Sequence, residues 1–288
     1  MGIVNRLDYT VQYQDIDQNY RLRLYTLENY LLNVAGLVAD QNGFGMRYLA
    51  KQNCTWVLIN LSLELSYLPT VDEVLTIETW VEQNMHMMSV RNYRLYVGDV
   101  MVGQAKSVWT IINMTDRTIQ NLFNQPVFED ITTGEQVKIA RASRFAQFTD
   151  EDRTILSSQQ ANQQAGGWQK RKVMYSDIDY NGHCNSCKYL EMMLNACEPA
   201  DLKRELPTTP KNIAECNSLL RFDIKYAKEI YRDDTIDIYY TADSNAINYE
   251  IRNADGEISC QERISRFTNY EDVRLHYKYI SGDIRVVE

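Results

Sequence analysis

Between Tyr175 and Tyr189 the chain reads YSDIDYNGHCNSCKY, which puts Asp177, Asp179, Asn181 and His183 within seven residues. A carboxylate, a carboxamide and an imidazole at alternate positions 179, 181 and 183 would project to one side of an extended turn. That set suits a carbonyl on which negative charge develops, because Asn181 can donate from its amide while His183 or a carboxylate moves a proton. The helix expected to follow would aim its unpaired N-terminal N–H groups at the same place. An oxyanion donor contributes roughly 10²–10³ in rate and a placed general base roughly 10²–10⁴, enough for hydrolysis of an activated ester without a metal.

Two other chemistries fit less well. DIDYNG opens like a calcium loop, with Asp177, Asp179, Asn181 and Gly182 in place, but the twelfth position needs a bidentate Glu and holds Lys188. His183, Cys184 and Cys187 offer soft ligands, yet a single Cys-x-x-Cys without a second pair is poor zinc spacing, and both thiols suit buried packing positions at a helix start. Asp177, Asn181 and Asn185 also suit turns and caps.

The motif occurs twice. Adding 162 to YQDIDQN at Tyr13–Asn19 maps Tyr13 to Tyr175, Asp15 to Asp177, Asp17 to Asp179 and Asn19 to Asn181. The copies then part: Arg21 stands where His183 does, and Arg23 where Asn185 does. Each copy sits in the same succession of elements. Leu7, Tyr9, Val11 and Tyr13 alternate as a half-buried strand, and Leu24, Leu27, Leu31, Val34, Ala35 and Val38 form one helix face closed by Gly43 and Gly45. Val57, Ile59, Leu61, Leu63, Leu65 and Tyr67 alternate again, and strands near 73–82, 87–97 and 100–113 follow, with a hairpin at Gly98 and Asp99. In the later copy a helical stripe is expected at Leu190, Met193, Leu194 and Cys197, a loop from Pro199 to Pro210, and strands near 245–254 and 257–268 joined at Asp255 and Gly256. Leu220, Phe222, Ile224 and Tyr226 match Leu61 to Tyr67 at an offset of 159, while Ile236 and Ile238 match Leu75 and Ile77 at 161. Two extra residues therefore fall beside Glu229, at a strand end where a side chain can be re-aimed. The expected division is a first unit at 1–130, a linker at 131–168 with an irregular stretch near Leu122–Phe128 and the polar run QQANQQAGG, and a second unit at 169–288.

Composition bounds the rest. The 288 residues are 44% hydrophobic and 24% charged with a net charge of −9, which argues against broad nucleic-acid binding. One local basic cluster, Lys170, Arg171 and Lys172, precedes the motif, and a solvated strand edge is its plainest reading. No apolar run approaches the ~20 residues of a bilayer crossing. MGIVNR has Gly2 but Arg6 where myristoylation wants Ser or Thr, and no secretion signal is visible. Six irregularly spaced cysteines suit a reducing compartment, so a cytoplasmic protein is expected.

The order of these motifs resembles the acyl-acyl carrier protein thioesterases of plants and bacteria. It is carried by RLRLYTLENYL, TWVLINLSLEL and DEVLTIETW in the first half, and by SDIDYNGHCNSCKYLE and IKYAKEIYRDD in the second. The resemblance implies an α+β double hotdog, in which each of two tandem units wraps an antiparallel sheet around a long helix. It implies hydrolysis of a fatty acyl thioester on acyl carrier protein, with no cofactor and no metal. Asp179, Asn181, His183 and Glu229 match the family's catalytic residues, and the first unit would house the acyl chain. Plant members often place Cys after that Glu; Ile230 here excludes a thiolate mechanism at that position. The family's HVNN is HCNS in this chain, so Ser186 replaces its second Asn. Asp179 is the better candidate for an attacking or water-directing carboxylate, with Glu229 as support. A coenzyme A thioesterase, a hotdog dehydratase and a non-catalytic acyl-binding module are the rivals, and a homodimer stays open.

Overall fold

The computed structural model describes residues 2–139, 145–158, 166–197, 206–269 and 273. Two compact units result, Met1–Ile139 with Thr208–Ile213, and Ala140–Pro207 with Ala214–Glu288. In the first, strand β1 (Asn5–Thr10) leads through a single 3-10 turn at Tyr13–Asp15 to helix α1 (Leu24–Gln41). The predicted apolar face of α1 is the buried one, and Gly43 at φ +83° takes the left-handed position after the Asn42 cap. A short α2 (Met46–Leu49) precedes β2 (Cys54–Leu65), β3 (Val74–Asn84), β4 (Ser89–Val97) and β5 (Val100–Asn113). These pair antiparallel in the order β1-β3-β4-β5-β2, and Gly98 at φ +58° makes the expected β4–β5 hairpin. The alternation in β2 changes phase. Its pairing with β5 shifts register between Leu58 and Asn60, so Leu58 is buried while Val57 and Ile59 are half-buried. A bulge adds one residue and exchanges the faces of everything before it. Two 3-10 turns, Leu122–Asn124 and Pro126–Phe128, fill the stretch expected to be irregular.

The second unit repeats the plan. Strand β6 (Gly166–Lys172) leads through a 3-10 turn at Tyr175–Asp177 to helix α4 (Ser186–Ala196), followed by β7 (Leu219–Tyr226), β8 (Thr235–Ala242), β9 (Ala246–Arg252) and β10 (Ile258–Phe267). The order β7-β10-β9-β8-β6 places β6 beside β8 as β1 lies beside β3. Each unit is thus a long helix with a five-stranded antiparallel sheet, the α+β double-hotdog class. On α4 the buried side chains are Cys187, Tyr189, Leu190, Met192 and Met193, while Leu194 and Cys197 of the expected stripe are only half-buried. One element escaped the sequence reading: helix α3 (Asp150–Ser158) stands in the polar stretch read as linker. Its signal was present, because Thr149 and Asp152 form a reciprocal capping box at 3.1 and 2.8 Å. The QQANQQAGG run lies outside the described residues up to position 165, and its two glycines open β6; the loop read from Pro199 lies outside them up to position 205. Among the described residues no helix is long and apolar enough to cross a membrane.

Candidate active site

The motif is not an extended turn. Gly182 N donates to Asp179 O at 3.1 Å, and Gly182 adopts φ +82°, a conformation that glycine accepts without strain. The Asp179 carboxylate closes the loop from inside: Oδ1 accepts from Asn181 N at 2.8 Å and His183 N at 3.3 Å, and Oδ2 faces Asn181 Nδ2 at 3.4 Å. The Asp179 carboxylate thus gathers the backbone of the turn around itself and meets the Asn181 side chain, so the local backbone is a carboxylate-centred turn and not a strand with alternate residues on one face. Asp177 serves as structure. It is buried, accepts from Met174 N at 2.8 Å and takes Arg171 Nη2 on both oxygens at 2.8 and 3.0 Å. Asn185 caps α4 by accepting from Cys187 N at 3.1 Å, so one of the helix-end amides expected to face a carbonyl is spent locally.

A second segment brings Glu229 to the histidine. Cys184 N donates to Ile230 O at 2.8 Å, and His183 forms an isolated antiparallel bridge with Tyr231. This pins residues 229–231 beside the turn and puts Glu229 Oε2 3.6 Å from His183 Nε2. Tyr231, which the sequence reading passed over, completes the group. Its hydroxyl donates to the same Oε2 at 3.1 Å, and its ring meets the imidazole edge to face at 5.1 Å between centroids. No motif marked it, because its role comes from a bridge to a residue far away in the chain.

The first unit holds the same turn without this equipment. Asp17 Oδ1 accepts from Asn19 N at 2.8 Å and Arg21 N at 3.2 Å, and Tyr20 takes the left-handed conformation of Gly182 at φ +59°. Leu22 N donates to Pro69 O at 2.8 Å as Cys184 N does to Ile230 O, so Pro69 and Ile230 correspond. One residue, Leu68, lies between Tyr67 and Pro69, whereas Ala227, Lys228 and Glu229 lie between Tyr226 and Ile230. The two-residue insertion thus delivers Glu229. In the first unit Arg21 spans the equivalent gap, donating to Leu68 O at 3.1 Å and stacking 5.0 Å from the Tyr67 ring centre.

The thiol of Cys184 beside the turn is poorly suited to act as a nucleophile. Cys184 is buried, and desolvation, reinforced by Asp177, pushes its thiol up to about 12. Ile230, fully buried, leaves no sulfur beside Glu229. The basic cluster on β6 is balanced by acids: Arg171 by Asp177, Lys172 by Asp233 at 2.8 Å and Lys170 by Asp237 at 3.6 Å. A strand edge laced with ion pairs explains it better than an anionic partner.

The two tandem hotdog units define the class. The chain belongs to the acyl-acyl carrier protein thioesterase family: the family's N-terminal domain model matches residues 2–133 and its C-terminal domain model residues 159–269. Among solved structures it is similar to an acyl-ACP thioesterase from Bacteroides thetaiotaomicron, 27% identical, covering 91% of this chain and 97% of that one with a TM-score of 0.72. A 12:0-ACP thioesterase from Umbellularia californica shares the fold at 14% identity, covering 92% and 98% of the two chains with a TM-score of 0.71. The chloroplastic oleoyl-acyl carrier protein thioesterase of Coriandrum sativum is 22% identical over 82% of this chain and 62% of its own length. The chloroplastic palmitoyl-acyl carrier protein thioesterase of Arabidopsis thaliana is 24% identical over 82% of this chain and 54% of its own length. The chain thus spans little more than half the length of these two relatives.

Proposed function

We propose that the protein hydrolyses the thioester of a fatty acyl chain carried on acyl carrier protein, releasing the free fatty acid in fatty acid synthesis. The observation that carries this reading is the contrast between two copies of one turn: the later copy alone joins an imidazole to a carboxylate, His183 to Glu229 at 3.6 Å. Asp179, held by two backbone amides through Oδ1, presents Oδ2 beside the Asn181 carboxamide and directs a water toward the carbonyl. With Nε2 turned to Glu229, the other ring nitrogen of His183 takes the proton of that water, and Glu229 stabilises the resulting imidazolium. Asn181 donates to the developing oxyanion. Collapse of the tetrahedral intermediate breaks the C–S bond, and the imidazolium returns its proton to the departing thiolate.

Incubation of the protein with lauroyl-, palmitoyl- and oleoyl-acyl carrier protein, and with the same acyl groups on coenzyme A, tests the reading. Free fatty acid should form from the carrier protein esters at a kcat/KM at least ten times that for coenzyme A esters. Preference for coenzyme A would defeat the carrier assignment, and an enoyl product would defeat hydrolysis. We also place the protein in the cytoplasm, a reading supported by its irregularly spaced cysteines and tested by cell fractionation.

A further inference from the structure

In the first unit the β3–β4 hairpin turns at Met85-His86-Met87-Met88. Three of the chain's 10 methionines and one of its 3 histidines fall in these four positions, a concentration that composition does not explain. All four residues are exposed, the methionines by 36%, 55% and 38% in chain order. Backbone bonds fix the tip: Met85 N donates to Met88 O at 2.7 Å, Thr110 Oγ1 to Met87 O at 2.7 Å and Leu122 N to His86 O at 2.8 Å. Met85 and Met88 continue the Asn84–Ser89 pairing, so they face each other with Cβ atoms about 4.5–5.5 Å apart. The His86 ring meets Phe123 edge to face at 4.8 Å. Among the described residues no hydrogen bond engages the ring nitrogens of His86 or the three thioether sulfurs.

The fold asks for none of these side chains, and the duplicated unit shows it. There the β8–β9 hairpin turns at Asp243-Ser244-Asn245-Ala246, with Asp243 N donating to Ala246 O at 2.9 Å as Met85 N does to Met88 O. The Asp243 carboxylate accepts from Asn245 N at 2.7 Å and Ala246 N at 2.8 Å, which is ordinary turn chemistry. Methionine brings no such bond to a turn, and solvated thioether chains leave apolar surface in water. Ligand chemistry supplies a reason for them. Thioether and imidazole are neutral, soft donors that suit Cu(I), whereas Mg²⁺ and Ca²⁺ want oxygen ligands. The tip contains no acid, and the nearest one along β3, Glu82, is buried and paired with Lys106 at 3.0 Å. Three rotatable bonds let each methionine close on an ion while the backbone stays pinned.

We propose that the β3–β4 tip binds one soft monovalent metal ion of the Cu(I) kind through the thioethers of Met85, Met87 and Met88 and the imidazole of His86. The inference goes beyond the hydrolytic reading and is tested without turnover. Calorimetric titration of the full chain with Ag(I), a redox-inert probe, in chloride-free buffer should show one site at the tip, with Zn(II) weaker by at least about tenfold because no ligand there carries charge. Hydrogen peroxide followed by peptide mapping locates the ion. Ag(I) should slow sulfoxide formation at Met85, Met87 and Met88 by about tenfold, while the exposed Met114 and Met174 oxidise at their unliganded rate. Replacing all three methionines by leucine conserves volume, so the variant should melt with the parent and lose the tip site. Met87→Leu alone serves if the triple variant fails to fold, and should weaken Ag(I) at least about fivefold. No binding to the parent, or unchanged Ag(I) affinity in these variants, would overturn the proposal. So would equal protection of Met114 and Met174, or Zn(II) binding as tightly as Ag(I).

Discussion

The duplicated turn supplies its own control for the role of Asp179. Asp17 and Asp179 each close a loop by accepting two backbone N–H groups, at 2.8 and 3.2 Å in one case and 2.8 and 3.3 Å in the other. Replacing either by Asn keeps a neutral oxygen in the same place. Hydrogen bonds to a charged acceptor are worth about 1.5–3 kcal/mol against about 0.5–1.5 for neutral ones, so removing the charge costs up to about 2 kcal/mol. Both residues are half-buried, and screening lowers this to about 1 kcal/mol in each copy. Urea denaturation should therefore give Asp17→Asn and Asp179→Asn nearly equal losses of stability. Their activities should separate: Asp17→Asn within about threefold of the parent, and Asp179→Asn lower in kcat/KM by the roughly 10²–10⁴ that a placed acid–base group supplies. Equal and small effects of both variants on hydrolysis would refute the reasoning, leaving Asp179 as a turn-former like its counterpart.

Tyr231→Phe keeps the ring against His183 and removes only the hydroxyl on Glu229, so steady-state kinetics should show kcat falling about tenfold with KM unchanged, and no further loss when combined with Glu229→Gln. The raised Cys184 thiol makes stability pH-dependent in a definite direction. Below about pH 9 the thiol is neutral in both folded and unfolded chains, whereas from there toward about 12 only the unfolded chain ionises, so stability falls as pH rises through that window. Melting curves from pH 8 to 11 should show the decline, and Cys184→Ala should flatten it. Tyr20→Gly relieves a left-handed tyrosine at φ +59° that is 68% exposed, and chemical denaturation should record a gain of about 0.5–1 kcal/mol.

What could be read in advance follows from the range of the interactions involved. The α1 face, the hairpins at Gly98 and Gly256 and the cap at Asn185 depend on residues a few positions apart, so periodicity and turn chemistry carry them. Leu58 escaped because a bulge depends on the partner strand, which moves the phase of β2 without any mark in β2 itself. Asp179, Asn181 and His183 were expected to share a direction through strand alternation, whereas the backbone there is a turn in which the Asp179 carboxylate accepts from Asn181 N and His183 N.

The amino-acid sequence alone determined the duplication, and with it the presence of one turn with a histidine and one with an arginine, since these are facts of order and identity. It also located the two-residue excess near Glu229, because matching offsets on either side need no coordinates. Only the tertiary structure decided that this excess carries Glu229 to 3.6 Å from His183 and that Tyr231 shares the same carboxylate oxygen. Each of those outcomes depends on backbone hydrogen bonds between segments tens of residues apart, such as Cys184 N to Ile230 O, and the register of such bonds is set by the packing of whole strands.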